Sequence, residues 1–274
     1  MRPAAREPLD VGRLVRQSIG VLRANIVSVV LISMLFAGAP AALQSWVLNQ
    51  CAHFIVTNSI KLCGLLRWSY TYPGLNFTFG IAPVTLLESP ARLFINLIGY
   101  TAIAPRLLAF LDGRRNSGGV KWGVAARRAW KLILLFLVKL MFVSLGLLLV
   151  VAPGLFLLVR WGLSAPALLS EGLGVRASLG RSARLTRGRL GGMFGIWAAY
   201  VVATGILLGS VKSGANALTP IVGPQIFPFI FYFGDALVNA INWMVGAALI
   251  TCLYHQCRGA KDRLEPQSIA AAFD

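Results

Sequence analysis

The chain has 274 residues, 57% of them hydrophobic and only 13% charged, against about 25% charged in soluble domains. Its 26 Lys and Arg outnumber nine Asp and Glu, for a net charge of +17. Gathered on one soluble domain, that surplus would suit nucleic acid. Here the charges alternate with long apolar runs, which excludes that class and points to a polytopic membrane protein.

Twenty of the basic residues fall in four islands: Arg2–Arg23, Arg106–Lys131, Arg176–Arg189 and Arg258–Arg263. Every second polar gap is nearly free of positive charge, holding only Lys61, Arg67 and Lys212. Lys and Arg flanking short spans are retained on the cytoplasmic side, so the alternation gives a topology with both termini inside. The expected fold is all-α: a bundle of about six transmembrane helices with amphipathic interfacial helices on the cytoplasmic side. One membrane domain covers 1–257, and 258–274 form a polar, frayed cytoplasmic tail.

Asp10 is a suitable N-cap for a helix over 11–24. Val11, Leu14, Val15 and Leu22 share one face and Arg13, Arg16 and Arg23 another, the pattern of a helix lying on the inner leaflet. Span one covers about 26–46, close to the length that crosses a bilayer, and Pro40 is expected to kink it. Residues 47–80 form an outer segment rich in aromatics, with a dip into the membrane left open. Span two runs about 81–110, and an inner Asn116-Ser117-Gly118-Gly119 loop follows. Span three covers 132–151 and carries a charge at Lys139. Pro153-Gly154 is expected to make the tight outer turn into span four, 155–170. A second basic segment puts Val175, Leu179, Ala183 and Leu190 on its apolar face. Spans five (192–210) and six (229–253) complete the count.

The most patterned stretch holds Pro153, Gly154, Arg160, Pro166 and Glu171, continuing through Arg181, Ser182, Arg184, Arg187 and Gly188. Read physically, a charge at Arg160 inside a span must snorkel or find a partner. Pro166 frees the carbonyl of Gly162. Glu171 lies eleven residues from Arg160 (171−160), about 16 Å along a helix, too far for direct pairing. Its expected partner is therefore Arg181 or Arg184 on the next helix, a clamp under span four.

These motif residues resemble the family named for the membrane domain of glycerophosphoryl diester phosphodiesterases and the related YciC-like multi-pass proteins. That resemblance implies a multi-helix membrane domain of undetermined activity. The phosphodiesterase activity belongs to a separate soluble barrel that this sequence does not contain, so it is not carried over.

Nothing in the sequence points to catalysis, a cofactor or a metal. Nine acids and two His provide no clustered set for a divalent ion, and His53 and His255 fall on opposite sides of the membrane. Cys51 and Cys63 are candidates for an outer disulfide. Gly188, Gly192, Gly195, Ala199 and Ala203 line one face of span five, which could pack within the chain or pair two copies as a homo-oligomer. The expected function is a non-catalytic protein of the cytoplasmic membrane, a structural or interaction module in envelope or lipid homeostasis, with anionic headgroups of the inner leaflet as partners. The alternative is a small transporter or lipid translocator acting as an oligomer through Lys139 and Arg160.

Overall fold

The computed structural model describes residues 10–43, 46, 68–71, 78–81, 83–113, 122–149, 151–222 and 227–270. Six helices are long and apolar enough to cross a membrane: Ile26–Leu43, Phe94–Leu111, Arg128–Gly146, Ala152–Glu171, Leu190–Val211 and Ile230–Lys261. The chain is an all-α bundle and a multi-pass membrane protein.

Helix α1 (Val11–Ala24) starts on Asp10, whose Oδ1 accepts the Arg13 amide at 2.9 Å. Asn25 separates it from α2 (Ile26–Ser33), which continues through a π-helical stretch, Met34–Gly38. A π-helical turn sits just before Pro40, where a kink was expected, and in it the Ala39 amide reaches back to the Met34 carbonyl. At Gly38 the helix passes so close to a neighbour that a Cβ would stand 2.9 Å from the Ala236 carbonyl oxygen.

Strands β1 (Trp68–Thr71) and β2 (Thr78–Ile81) pair antiparallel, Trp68 opposite Ile81 and Thr71 opposite Thr78. This hairpin was not foreseen, although its aromatic and β-branched residues suit a pleated strand. Cys51 and Cys63 lie outside the described residues. Helix α3 (Pro83–Leu111) leads to a turn whose Gly113 takes a positive φ of 71°.

Helix α4 (Trp122–Leu149) and α5 (Val151–Arg160) form a hairpin, and here the expectation for Pro153-Gly154 is corrected. Both residues lie in the first turn of α5 rather than making the turn itself. Proline is tolerated there because its missing N–H has no carbonyl to meet. Gly154 serves contact: a Cβ on Gly146 would lie 3.0 Å from its N and Cα, so the two helices meet backbone to backbone.

Span four is broken. Helix α6 (Ser164–Glu171) follows α5 after three turn residues, and Gly172 at φ 66° ends it. Helix α7 (Val175–Thr186) folds back against α5 and α6. Gly188, at φ 85°, turns the chain into α8 (Leu190–Val222). Helix α9 (Phe227–Ala270) does not fray at Cys257 but continues as helix. The Lys261 ammonium there donates to the Arg184 carbonyl at 3.0 Å, tying this extension to α7.

The core gathers Leu14 and Val21, Val29 and Ile32, Ile103 and Leu107, Leu163 and Ala167, Leu185, and Tyr254 and Cys257, with α9 at its centre. It lies toward the end of the bundle holding α1, α7 and the end of α9, called here the basic end. Phe194, Val202 and Ile206 of α8 stay exposed, as do Gly188, Gly192, Gly195, Ala199 and Ala203. That small-residue face therefore has no packing role within the described chain.

Candidate functional site

The motif residues converge where α5, α6, α7 and α9 meet. Helix α6 ends on Glu171, a negative charge where the helix dipole already concentrates negative potential. Three groups offset it. The Arg181 Nε donates to Glu171 Oε1 at 3.0 Å, and the Tyr254 hydroxyl donates to the same oxygen at 2.5 Å. Arg128 Nη1 donates to the Leu169 carbonyl at 3.4 Å, bringing a cation to the last turn of α6. The Ser170 hydroxyl donates to the Tyr254 oxygen at 2.9 Å, so the phenol both gives and accepts. Of the two arginines the sequence offers Glu171, Arg181 takes the carboxylate. Arg184, one turn further along α7, stays exposed.

The second half of the motif closes the break in span four. In an unbroken helix the Ser164 amide would donate to the Arg160 carbonyl. It goes instead to the Trp161 carbonyl at 3.2 Å. The freed Arg160 carbonyl accepts from the Ser182 hydroxyl at 2.9 Å and from Thr186 Oγ1 at 3.4 Å. A backbone acceptor within membrane depth needs a donor from protein or water; α7 supplies Ser182, and Thr186 shares its one hydroxyl proton between this carbonyl and that of Ala183, 3.3 Å away. The carbonyl expected to be freed was that of Gly162, opposite Pro166. Pro166 is buried in the first turn of α6, but the captured carbonyl is that of Arg160.

The Arg160 side chain neither pairs with Glu171 nor enters the core. It is exposed, with its guanidinium 5.4 Å from the Phe156 ring centre, so the cation lies over an aromatic face. Arg187 and Gly188 lie past the end of α7, both exposed. Lys139 is half-buried on α4.

The buried face of α7 is Ser178, Ser182, Leu185 and Thr186, each 3% exposed or less. Val175, Leu179 and Ala183, the expected apolar face, lie at its edge and are only half-buried. Hydropathy could not locate this face, because small hydroxyl residues read as neutral. Their value is short reach and close approach. Tyr254 was missed for a related reason, as it sits in an apolar run. A phenol there needs a hydrogen-bond partner, which is the signal that could have found it.

Helix α1 presents three sides. Leu14 and Val21 are buried against the bundle, where Gln256 Nε2 donates to Gln17 Oε1 at 3.0 Å. Val11, Val15 and Ile19 form an exposed apolar stripe at 54%, 48% and 44%. Arg13, Arg16 and Arg23 occupy the third side, also exposed. The sequence merged the first two sides into one face.

Among the described residues, no group of three metal-ligating side chains occurs, and Cys252 and Cys257 are free and buried. Compared with known proteins, the chain matches no family model, no curated protein and no solved structure.

Proposed function

We propose that this chain is a non-catalytic protein of the cytoplasmic membrane whose basic end engages anionic lipid of the inner leaflet. In this reading it is a structural or interaction module in envelope or lipid homeostasis, with both termini in the cytoplasm. The three-sided α1 carries the argument. With one side fixed to the bundle, the exposed Val11, Val15 and Ile19 stripe enters hydrocarbon while Arg13, Arg16 and Arg23 stay at headgroup level. The exposed Arg176, Arg184 and Arg187 add charge at the same end. Each basic group near an anionic surface contributes about 1 kcal/mol. The likeness of residues 151–188 to the phosphodiesterase membrane domain fits a lipid-facing role, and family membership is part of the proposal.

The Glu171 clamp supports a holding role. It fixes α7 against α6 and α9, so the arginines of α7 are presented by a rigid element. The alternative, a small transporter or translocator working as an oligomer, would use the broken span at Arg160. Its freed carbonyl is already occupied by Ser182 and Thr186, which favours the structural reading.

The test is native mass spectrometry of protein released from membranes containing phosphatidylglycerol and phosphatidylethanolamine. Enrichment of phosphatidylglycerol that falls in the Arg13→Gln, Arg16→Gln, Arg23→Gln variant supports the proposal. Equal lipid ratios in protein and bulk membrane would overturn it.

A further inference from the structure

Helix α7 lies along the margin of the bundle at the basic end. Glu171, before it, ends the apolar window of span four, and Leu190, after it, opens that of span five. Lys261, where span six ends, donates its ammonium to the Arg184 carbonyl at 3.0 Å. The buried face of α7 looks into the membrane-spanning bundle. Ser182 and Thr186 reach the Arg160 carbonyl inside span four, and Leu185 joins Val159 and Leu163 in the core.

The other face is a stripe of Arg176, Gly180 and Arg184, all exposed and four residues apart, with Arg187 just past the helix end. Each stripe residue is two positions from buried Ser178 or Ser182, about 200° around the helix. The stripe is therefore turned away from the apolar slab. It also differs from the lipid-facing side of α1. No large apolar side chain of α7 is exposed, whereas α1 shows Val11, Val15 and Ile19. No acid occurs from Gly172 to Gly234, so the helix brings no carboxylate of its own to these arginines. Gly180 leaves a notch between Arg176 and Arg184, because a Cβ there would meet nothing within 4 Å. Glycine inside a helix weakens it, and this one serves no close contact within the described chain.

A face with cations and no apolar side chain suits a soluble anionic partner rather than hydrocarbon. Guanidinium forks hold carboxylates with two parallel hydrogen bonds. Arg176 and Arg184 stand about 12 Å apart along the helix, so the carboxylates they meet need about that spacing. Acids two turns apart on a helix supply it, and the notch at Gly180 lets that helix approach closely. We propose that the outward face of α7 docks an acidic helical segment of a cytosolic protein. This rests on the cytoplasmic placement of the basic end proposed above, and it names the partner chemistry of the interaction module. The α1 contacts with lipid use other residues and another face.

The test uses the full chain in phosphatidylcholine nanodiscs, which carry no anionic lipid. The probe is a fluorescent alanine-based helical peptide with glutamates on one face, two turns apart. The control peptide spreads the same glutamates around the helix. Anisotropy should show the one-faced peptide binding about tenfold more tightly, as two or three exposed ion pairs would give. Arg176→Gln with Arg184→Gln should abolish that preference. Gly180→Leu, which fills the notch and keeps every charge, should weaken the one-faced peptide and leave the control unchanged. These positions are exposed, so thermal midpoints should hold. The Arg13→Gln, Arg16→Gln, Arg23→Gln variant should keep the peptide, so failure of the lipid reading and failure of this one are told apart. Equal binding of the two peptides, or of the one-faced peptide by wild type and the Arg176, Arg184 variant, would overturn the proposal. So would loss of phosphatidylglycerol enrichment in the Arg176, Arg184 variant with peptide binding unchanged, which would make the stripe a membrane contact.

Discussion

Arg181 follows Glu171 by ten residues across a turn, and its Nε meets the Glu171 carboxylate at 3.0 Å with both side chains largely withdrawn from solvent, at 17% and 22% exposure. Through this contact the middle of α7, the helix that follows the broken span, holds the last residue of the span itself. Arg181→Met would leave the carboxylate with Tyr254 alone, at the negative end of α6. The variant should lose about 2 kcal/mol, the range for a charge-assisted hydrogen bond. Because a buried pair contributes less than the cost of breaking it, Glu171→Leu with Arg181→Met should recover most of that loss. Unfolding midpoints in detergent for the two single variants and the double variant check this.

Tyr254→Phe removes the second donor to Glu171 and the acceptor of the exposed Ser170 hydroxyl. The expected cost is about 1 kcal/mol, typical of one hydrogen bond. In the Arg181→Met background it should cost more, because the carboxylate would then have neither partner. A thermodynamic cycle over the four proteins reads the coupling.

Ser182→Ala and Thr186→Val act on a single acceptor, the Arg160 carbonyl. Thr186→Val leaves the shorter Ser182 bond and should cost less than about 1 kcal/mol, whereas Ser182→Ala, which leaves only a hydroxyl shared with the Ala183 carbonyl, should cost about 1 kcal/mol. The double variant orphans the carbonyl at membrane depth and should cost about 2 kcal/mol, more than the sum. Faster backbone hydrogen exchange confined to α6 and α7 would accompany it.

Gly146→Val should disrupt the α4–α5 hairpin, because its Cβ would meet Gly154 backbone atoms at 3.0 Å and backbone cannot swing aside. Gly209→Val, with nothing within 4 Å, is the matched control and should change the midpoint little. The difference should reach about 2 kcal/mol, as overpacking does.

Much of this architecture was readable because two physical rules act on long stretches. Apolar runs near the bilayer length marked the six spans, but the second, expected from 81, begins at Phe94, since Ile81 lies in strand β2 and the helix starts at Pro83. The single acid after span four, followed by a helix rich in arginine, narrowed the partner of Glu171 to two residues. Other features depend on one contact at a time. Whether Pro153 makes a turn or opens a helix depends on where α4 ends, and Gly154 reveals its role only against Gly146. The hydroxyls of Ser178, Ser182 and Thr186 carry no hydropathy signal, so the centre of the α7 face was displaced to Val175 and Leu179. The hydrogen bond from Arg92 to Asn239 joins helices more than a hundred residues apart, and no local pattern links its halves.

The account turns on which ends of the helices face the cytoplasm, and thiol accessibility in intact cells addresses that most directly. In a background lacking Cys51, Cys63, Cys252 and Cys257, single cysteines would be placed at Arg176, exposed at the basic end, and at Ser213, exposed beyond the far end of span five. A membrane-impermeant maleimide should label Ser213→Cys in intact cells and Arg176→Cys only after the membrane is opened. Labelling of Arg176→Cys from outside, or of both positions alike, would contradict the topology and the lipid contacts built upon it.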